Sequence, residues 1–156
     1  MSGGFHLAQI NVARLAARYE SPQIAAFRES LDRINALAET SPGFVWRATG
    51  TGFDSDKPAG DIDPLVLPNM SVWESVEALA AFVYRSGHVE IFRRRHDWFE
   101  PTDRAAFALW WIPAGALPER LDALARLDHL NAHGPSPHAF TFRTRFPAPA
   151  LSDALI

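Results

Sequence analysis

Apolar residues recur along this chain with two periods, and the switches between them mark out the elements. Residues 5–14, FHLAQINVAR, alternate as a strand does. His6, Ala8, Ile10 and Val12 point one way; Phe5, Leu7, Gln9 and Asn11 point the other. Ser21 and Pro22 then mark a helix start: a capping hydroxyl, followed by a residue that needs no amide hydrogen. Ile24, Phe27, Leu31, Ile34 and Ala38 recur at spacings of three and four and make one apolar stripe. Ser41-Pro42-Gly43 stops this helix.

Residues 44–49 read as a second strand, with Phe44, Trp46 and Ala48 on one face. Residues 50–64 hold glycine, proline and aspartate without periodicity and read as loop. Residues 65–73 read as a third strand, in which Pro68 belongs at an edge or bulge because it cannot donate to a ladder. Ser75 opens a helix with Val76, Leu79, Ala80 and Val83 towards a core, and Ser86-Gly87 interrupts it. In the segment that follows, His88, Phe92, Arg95 and Phe99 share a helical face, and Pro101 ends it. Residues 106–112, AFALWWI, are a contiguous apolar strand buried on both faces, with Trp110 and Trp111 on opposite sides. A helix runs from Pro118 to about His133, with Leu121, Leu124, Leu127 and Leu130 along one side, and Gly134-Pro135 stops it. Residues 139–146 alternate as a last strand. The expected organisation is one domain over residues 1–146 and a proline-rich tail over 147–156.

The first six elements match a split βαβ, so the expected class is α+β with a ferredoxin-like protomer. Several strands carry large apolar groups on both faces. The chain's own helices cover one face, and a second copy in a two-fold homodimer is the simplest cover for the other.

Composition narrows the picture. At 156 residues and 47% hydrophobic, the chain can bury a core without a disulfide or metal staple. It has no cysteine, which excludes disulfides, iron–sulfur clusters and thiolate zinc sites. A net charge of −3 supplies no general attraction for nucleic acid or anionic lipid. No apolar run approaches the roughly 18 residues of a membrane span. No basic region followed by an apolar run opens the chain, so a signal peptide is not expected and a cytoplasmic location is.

Residues 69–99 hold the densest collection of side chains able to bind or polarise a ligand. His88 can exchange a proton near neutral pH. Arg95 shares its face and carries a fork suited to a carboxylate or phenolate. Arg93, Arg94 and Arg95 point in three directions, so they cannot all line one pocket. Trp73, Tyr84, Phe92 and Trp98 are the expected apolar walls, and Asn11 and Asn69 the expected ligand hydrogen-bonders; Gln9 reads as satisfying backbone groups. His129 and His133 have the four-residue spacing of a helical metal pair, but no glutamate follows His129, so they read as a solvated helix end and no metal is expected. There is no glycine-rich phosphate loop, dinucleotide fingerprint or nucleophile elbow.

The segment VWESVEALAAFVYRSGH resembles the tryptophan-centred strand-to-helix segment of antibiotic biosynthesis monooxygenase-like proteins, of the dimeric α+β barrel superfamily. A closer resemblance is to a bacterial family of uncharacterised proteins related in fold to those monooxygenases. It runs through LAQINVARL, DRINALAETSPGFVWR, RRRHDWFE, ALWWIPAG and GPSPHAFTFRTRF, from Leu7 to Phe146. This resemblance implies the fold and the dimer, and no reaction. Some superfamily members oxidise polycyclic phenols without a cofactor, and others bind or degrade haem. The haem-degrading pattern would match Asn11, but Phe82 stands at its tryptophan position and its histidine position falls near Arg93. That chemistry is therefore not expected. The expected function is a monooxygenase-like enzyme with no cofactor, acting on a small apolar or aromatic molecule. Its cavity would lie between the sheet and the helix pair of residues 75–99, with His88 as base and Arg95 as anion anchor. A non-catalytic small-molecule-binding or structural dimer is the alternative, and haem binding a third.

Overall fold

The structure, a computed structural model, describes residues 4–18, 21–49, 66–85, 95–100 and 106–149. Its elements are β1 (Phe5–Arg14), α1 (Ala25–Glu39), β2 (Phe44–Arg47), β3 (Val66–Trp73), α2 (Val76–Arg85), α3 (Arg95–Trp98), β4 (Phe107–Pro113) and α4 (Arg120–His133). The strands form one antiparallel sheet in the order β2-β3-β1-β4. That is the ferredoxin-like order, with β1 and β3 side by side at the centre. No helix among the described residues is long and apolar enough to cross a membrane.

Local chemistry places most boundaries where the pattern puts them. Ser21 accepts from the Gln23 amide and opens a short 3-10 turn, Pro22–Ile24, that feeds α1. The α1 stripe is real: Ile24, Phe27, Ile34 and Ala38 are buried. Ser75 caps α2 through the Ala78 amide. Pro68 pairs with Val12 in a central strand, while the described bonding between β2 and β3 runs from Trp73 only as far as Met70. Among the described residues the proline therefore has no β2 partner that would need its missing N–H.

Each sheet face has its own cover. Ala8, Ile10, Met70, Val72, Ala108, Trp110 and Ile112 point one way and pack against Ala123, Leu127 and Leu130 of α4. Leu7, Trp73 and Leu109 point the other way, towards α1 and α2. Trp110 and Trp111 thus do lie on opposite faces. A second copy is therefore not the simplest cover for that face, because α4 of the same chain packs on it. A third cluster, Leu15, Ile24, Phe27 and Trp98, seals the end of the helix layer.

Four further expectations are corrected. A bulge between Phe44 and Trp46 changes the parity of β2, so Phe44 packs with Trp73 while Trp46 and Ala48 pack on the α4 side. In α4 the buried stripe is Ala123, Leu127 and Leu130, and Leu121 is 65% exposed. The helical face that was to include Phe99 stops short, since α3 ends at Trp98 and Phe99 bridges to Leu15. Residues 139–146 are not a strand. Only Phe140 makes backbone-to-backbone bonds to β4, through Leu109; Trp111 Nε1 donates to the Phe146 carbonyl, and Thr141 to Thr144 form a turn that brings Phe142 against Phe107 and Phe146 against Phe140. The interruption at Ser86-Gly87 lies outside the described residues.

Gly43 joins α1 to β2 at φ +83, and a Cβ there would sit 2.5 Å from Ala78 Cβ of α2. Both the backbone conformation and the contact exclude a side chain. Gly43→Ala is expected to cost about 2–4 kcal/mol in urea unfolding; a loss below about 0.5 kcal/mol would show that the turn rearranges freely. At the far end of α4, the His129 ring lies 4.6 Å from that of His133 and 4.8 Å from that of His138. Arg126, paired with Asp122 and 5.3 Å over the Trp110 ring, bonds the His138 carbonyl. Partial burial holds His138 below its ordinary pKa of 6.5; Arg126 and His129 push the same way, and Asp122 opposes them. The unfolded chain then takes up the proton first, so this contribution is complete above pH 6.5 and is lost as the pH falls below it. His138→Gln is expected to show a smaller drop in melting temperature between pH 7.5 and 5.5 than the parent. The residue is exposed, so the difference is small. Equal drops would separate the acid response from His138.

Candidate functional site

Alternation on β1 and β3, together with their register, assembles a polar square inside an apolar face. The pairs on the α1/α2 side are Leu7 with Trp73, Gln9 with Ser71, Asn11 with Asn69 and Ala13 with Leu67. The two middle pairs are polar. Gln9 is 2% exposed and Ser71 7%. Leaving such groups without partners costs roughly 1–3 kcal/mol each, so they bond to one another.

The bonds can be followed donor by donor. Gln9 Nε2 donates to Asn69 Oδ1 at 2.9 Å and to Ser71 Oγ at 2.8 Å. Asn11 Nδ2 donates to Gln9 Oε1 at 3.0 Å and to Asn69 Oδ1 at 3.3 Å. Trp73 Nε1 donates to Ser71 Oγ at 2.8 Å. Asn69 Oδ1 and Ser71 Oγ are therefore doubly occupied as acceptors. What remains uncommitted is the Asn69 amide N–H pair, the Ser71 hydroxyl proton and the Asn11 Oδ1 acceptor.

These groups line a cavity of about 190 Å³ between the sheet and α1/α2. Trp73, stacked on Phe82 at 5.2 Å, forms one apolar wall with Leu79 and Val83. Phe27, Leu31 and Ile34 of α1 form another, and Phe99 and Phe107 also line the cavity. Arg47 reaches the lining because the β2 bulge turns it to this face opposite Ser71. Its Nε binds Glu39 at 3.0 Å at the end of α1. Among the described lining residues Arg47 is the only ionisable one.

The structure brings together Asn11, Asn69 and Trp73 from the sequence-derived candidates. It does not bring Tyr84 or Trp98 to the cavity. Tyr84 is 74% exposed on the outer side of α2, and Trp98 is packed under Phe27 at 5.5 Å, outside the lining. His88 and Phe92 lie outside the described residues, as does the Arg95 side chain. Gln9 is corrected: it serves no strand-end backbone, and is instead the hub of the amide square. Asn35 and Arg47 are additions. Asn35 follows Leu31 by four and precedes Ala38 by three, so a polar residue within the apolar stripe was the signal. Arg47 gave no such signal, since plain alternation in β2 points it outwards. No group of three or more described His, Asp or Glu residues, including the histidines around α4, is placed to hold a metal ion.

Gln9→Leu removes the hub and strips partners from Asn11, Asn69 and Ser71 together. It is expected to lower unfolding free energy by about 2–4 kcal/mol. A double-mutant cycle with Asn69→Leu checks the coupling, and additive losses would show that the square is not one unit.

Residues 6–154 match the family described as Domain of unknown function (DUF3291), and the chain belongs to that family. No curated protein matches the sequence. Among solved structures, PA3566 from Pseudomonas aeruginosa shares the fold at 11% identity and a TM-score of 0.50, over 73% of this chain and 98% of that one. SnoaB from Streptomyces nogalater, whose structure is described as that of a cofactor-independent oxygenase, is similar at 16% identity and a TM-score of 0.48, over 73% and 98%. A putative antibiotic biosynthesis monooxygenase from Nitrosomonas europaea is similar at 12% identity and a TM-score of 0.49, over 75% and 96%.

Proposed function

We propose that this family member binds a small aromatic molecule with its oxygen against the amide square and acts on it as a monooxygenase-like enzyme without a cofactor. The observation that carries this reading is the set of uncommitted donors at the floor of an apolar cavity. A hydroxyaromatic ring fills such walls. Its oxygen, once deprotonated, accepts from the Asn69 amide and the Ser71 hydroxyl. Fixed donors in a dry site stabilise an oxyanion far better than water-exposed ones do. In a cofactor-free oxidation the substrate anion itself supplies electrons to dioxygen, so holding that anion is the protein's share of the chemistry. His88 as base and Arg95 as anion anchor belong to this proposal on the strength of the sequence alone.

The size of the cavity supports a small ligand. An apolar cavity of about 150 Å³ takes benzene, and drug-sized sites begin near 300 Å³. The volume here suits one ring with substituents, or two fused rings, rather than a larger polycycle. A second reading, recognition without catalysis, is favoured by one observation: no described lining residue is a carboxylate, histidine, lysine or tyrosine. A homodimer is proposed on the resemblance alone, since α4 already covers the sheet.

Titration calorimetry with 2-naphthol against naphthalene tests the floor. The naphthol is expected to bind tighter, and Asn69→Leu to weaken it by roughly five- to tenfold. Equal affinity for the two ligands would overturn the reading. Product formed from 2-naphthol under oxygen separates the enzyme from the binder. A native mass spectrum at micromolar concentration is expected to show two chains; a monomer would remove the dimer and leave the cavity, whose described lining comes from one chain.

A further inference from the structure

The cavity has a second polar wall. Asn35 lines it from α1, facing the sheet that carries the amide square. The residue is 7% exposed, no hydrogen bond joins its side-chain amide to another described residue, and the amide is open to the cavity it lines. Its neighbours in the lining are Leu31, Ile34 and Ala38. An amide that makes no bond within the fold and opens onto an apolar cavity contributes less to stability than leucine at the same point of the stripe would. An amide retained there is explained by a group that arrives with the ligand. The floor amides do not reach Asn35: the bonds they make run among themselves and to Trp73, and their uncommitted groups face the cavity as Asn35 does.

We infer that Asn35 is a specificity-determining residue, and that the ligand is a planar molecule of one or two rings with a hydrogen-bonding oxygen at each end. This rests on the reading of the cavity as an aromatic site and narrows the ligand class within it. One oxygen meets Asn69 and Ser71 on the strands; the other meets Asn35 on the helix. The apolar walls between them take the ring. An amide both donates and accepts, so Asn35 receives either a hydroxyl or a carbonyl oxygen. A ligand with oxygen at one end alone leaves Asn35 buried and unpaired. Sites built to pair a polar group reject analogues that lack it for that reason.

The test compares 2,6-dihydroxynaphthalene with 2-naphthol, by anaerobic titration calorimetry on the full chain. The diol is expected to bind roughly five- to tenfold tighter. In Asn35→Leu that ratio is expected to fall to about one, and the melting temperature of the ligand-free protein to hold or rise. Asn35→Ala, which adds no bulk, is expected to collapse the ratio in the same way and serves if the leucine variant fails to fold. A parent protein that binds both ligands without preference overturns this inference and leaves the aromatic site standing. A ratio that survives both substitutions does the same. Failure of the parent to bind either ligand overturns the aromatic site and this inference with it. A fall in melting temperature in both variants, with the ratio unchanged, would make Asn35 a structural residue.

Discussion

The pairing of β1 with β3 is the constraint on which the rest of this structure depends. Polar side chains occupy alternate positions in both strands, and only one register sets Gln9 opposite Ser71 and Asn11 opposite Asn69. A shift of one residue would turn one strand's polar set to the α4 side and leave the other set buried alone. The pairing also places Leu7 and Trp73 at one end of the square and Ala13 and Leu67 at the other. The square is thus bounded by apolar groups along the strands and roofed by two helices. Its bonds share donors and acceptors, with the Gln9 and Ser71 ends buried, so the loss of one member strips partners from the others.

A sheet face built only for stability would carry leucine and valine at these points. Four polar residues there satisfy most of their demand internally and leave a few groups turned to a cavity. Natural proteins accept lower stability where a site needs poised polar groups. The same logic extends to Asn35, which breaks an otherwise apolar stripe on α1. The closure of the other face by α4 matters here too. It makes that side a packed core, with Trp110 between the sheet and Arg126, and confines the described cavity to the α1/α2 side.

Different residues were legible to different degrees. Asn11, Asn69 and Trp73 could be singled out because polar or aromatic side chains stood at strand positions next to a helix start. Gln9 had the same alternation as Asn11 but was assigned to backbone, since nothing local shows that Ser71 and Asn69 arrive opposite it. Tyr84 and Trp98 looked like walls because they lie in an aromatic-rich stretch. Their positions were decided by the direction of α2 and by the cluster around Phe27. Arg47 was hidden by the bulge, which reverses the facing of everything after it in β2.

What the sequence determined by itself is what short-range periodicity encodes. The span of β1, the stripe of α1, the caps at Ser21 and Ser75, the stop at Gly43 and the opposed rings of Trp110 and Trp111 all follow from neighbours within a few residues. Those interactions are present in any conformation the local chain adopts. The tertiary structure decided which strands meet, in what register, and which helix closes which face. It also reduced the alternating segment after Ala139 to a single bridge at Phe140, because the rings of Phe142 and Phe146 are held by Phe107 and Phe140 instead of by a continued ladder. These outcomes depend on residues some 60 positions apart competing for the same partners, such as Gln9 with Asn69 and Ser71. A local period carries no record of that competition.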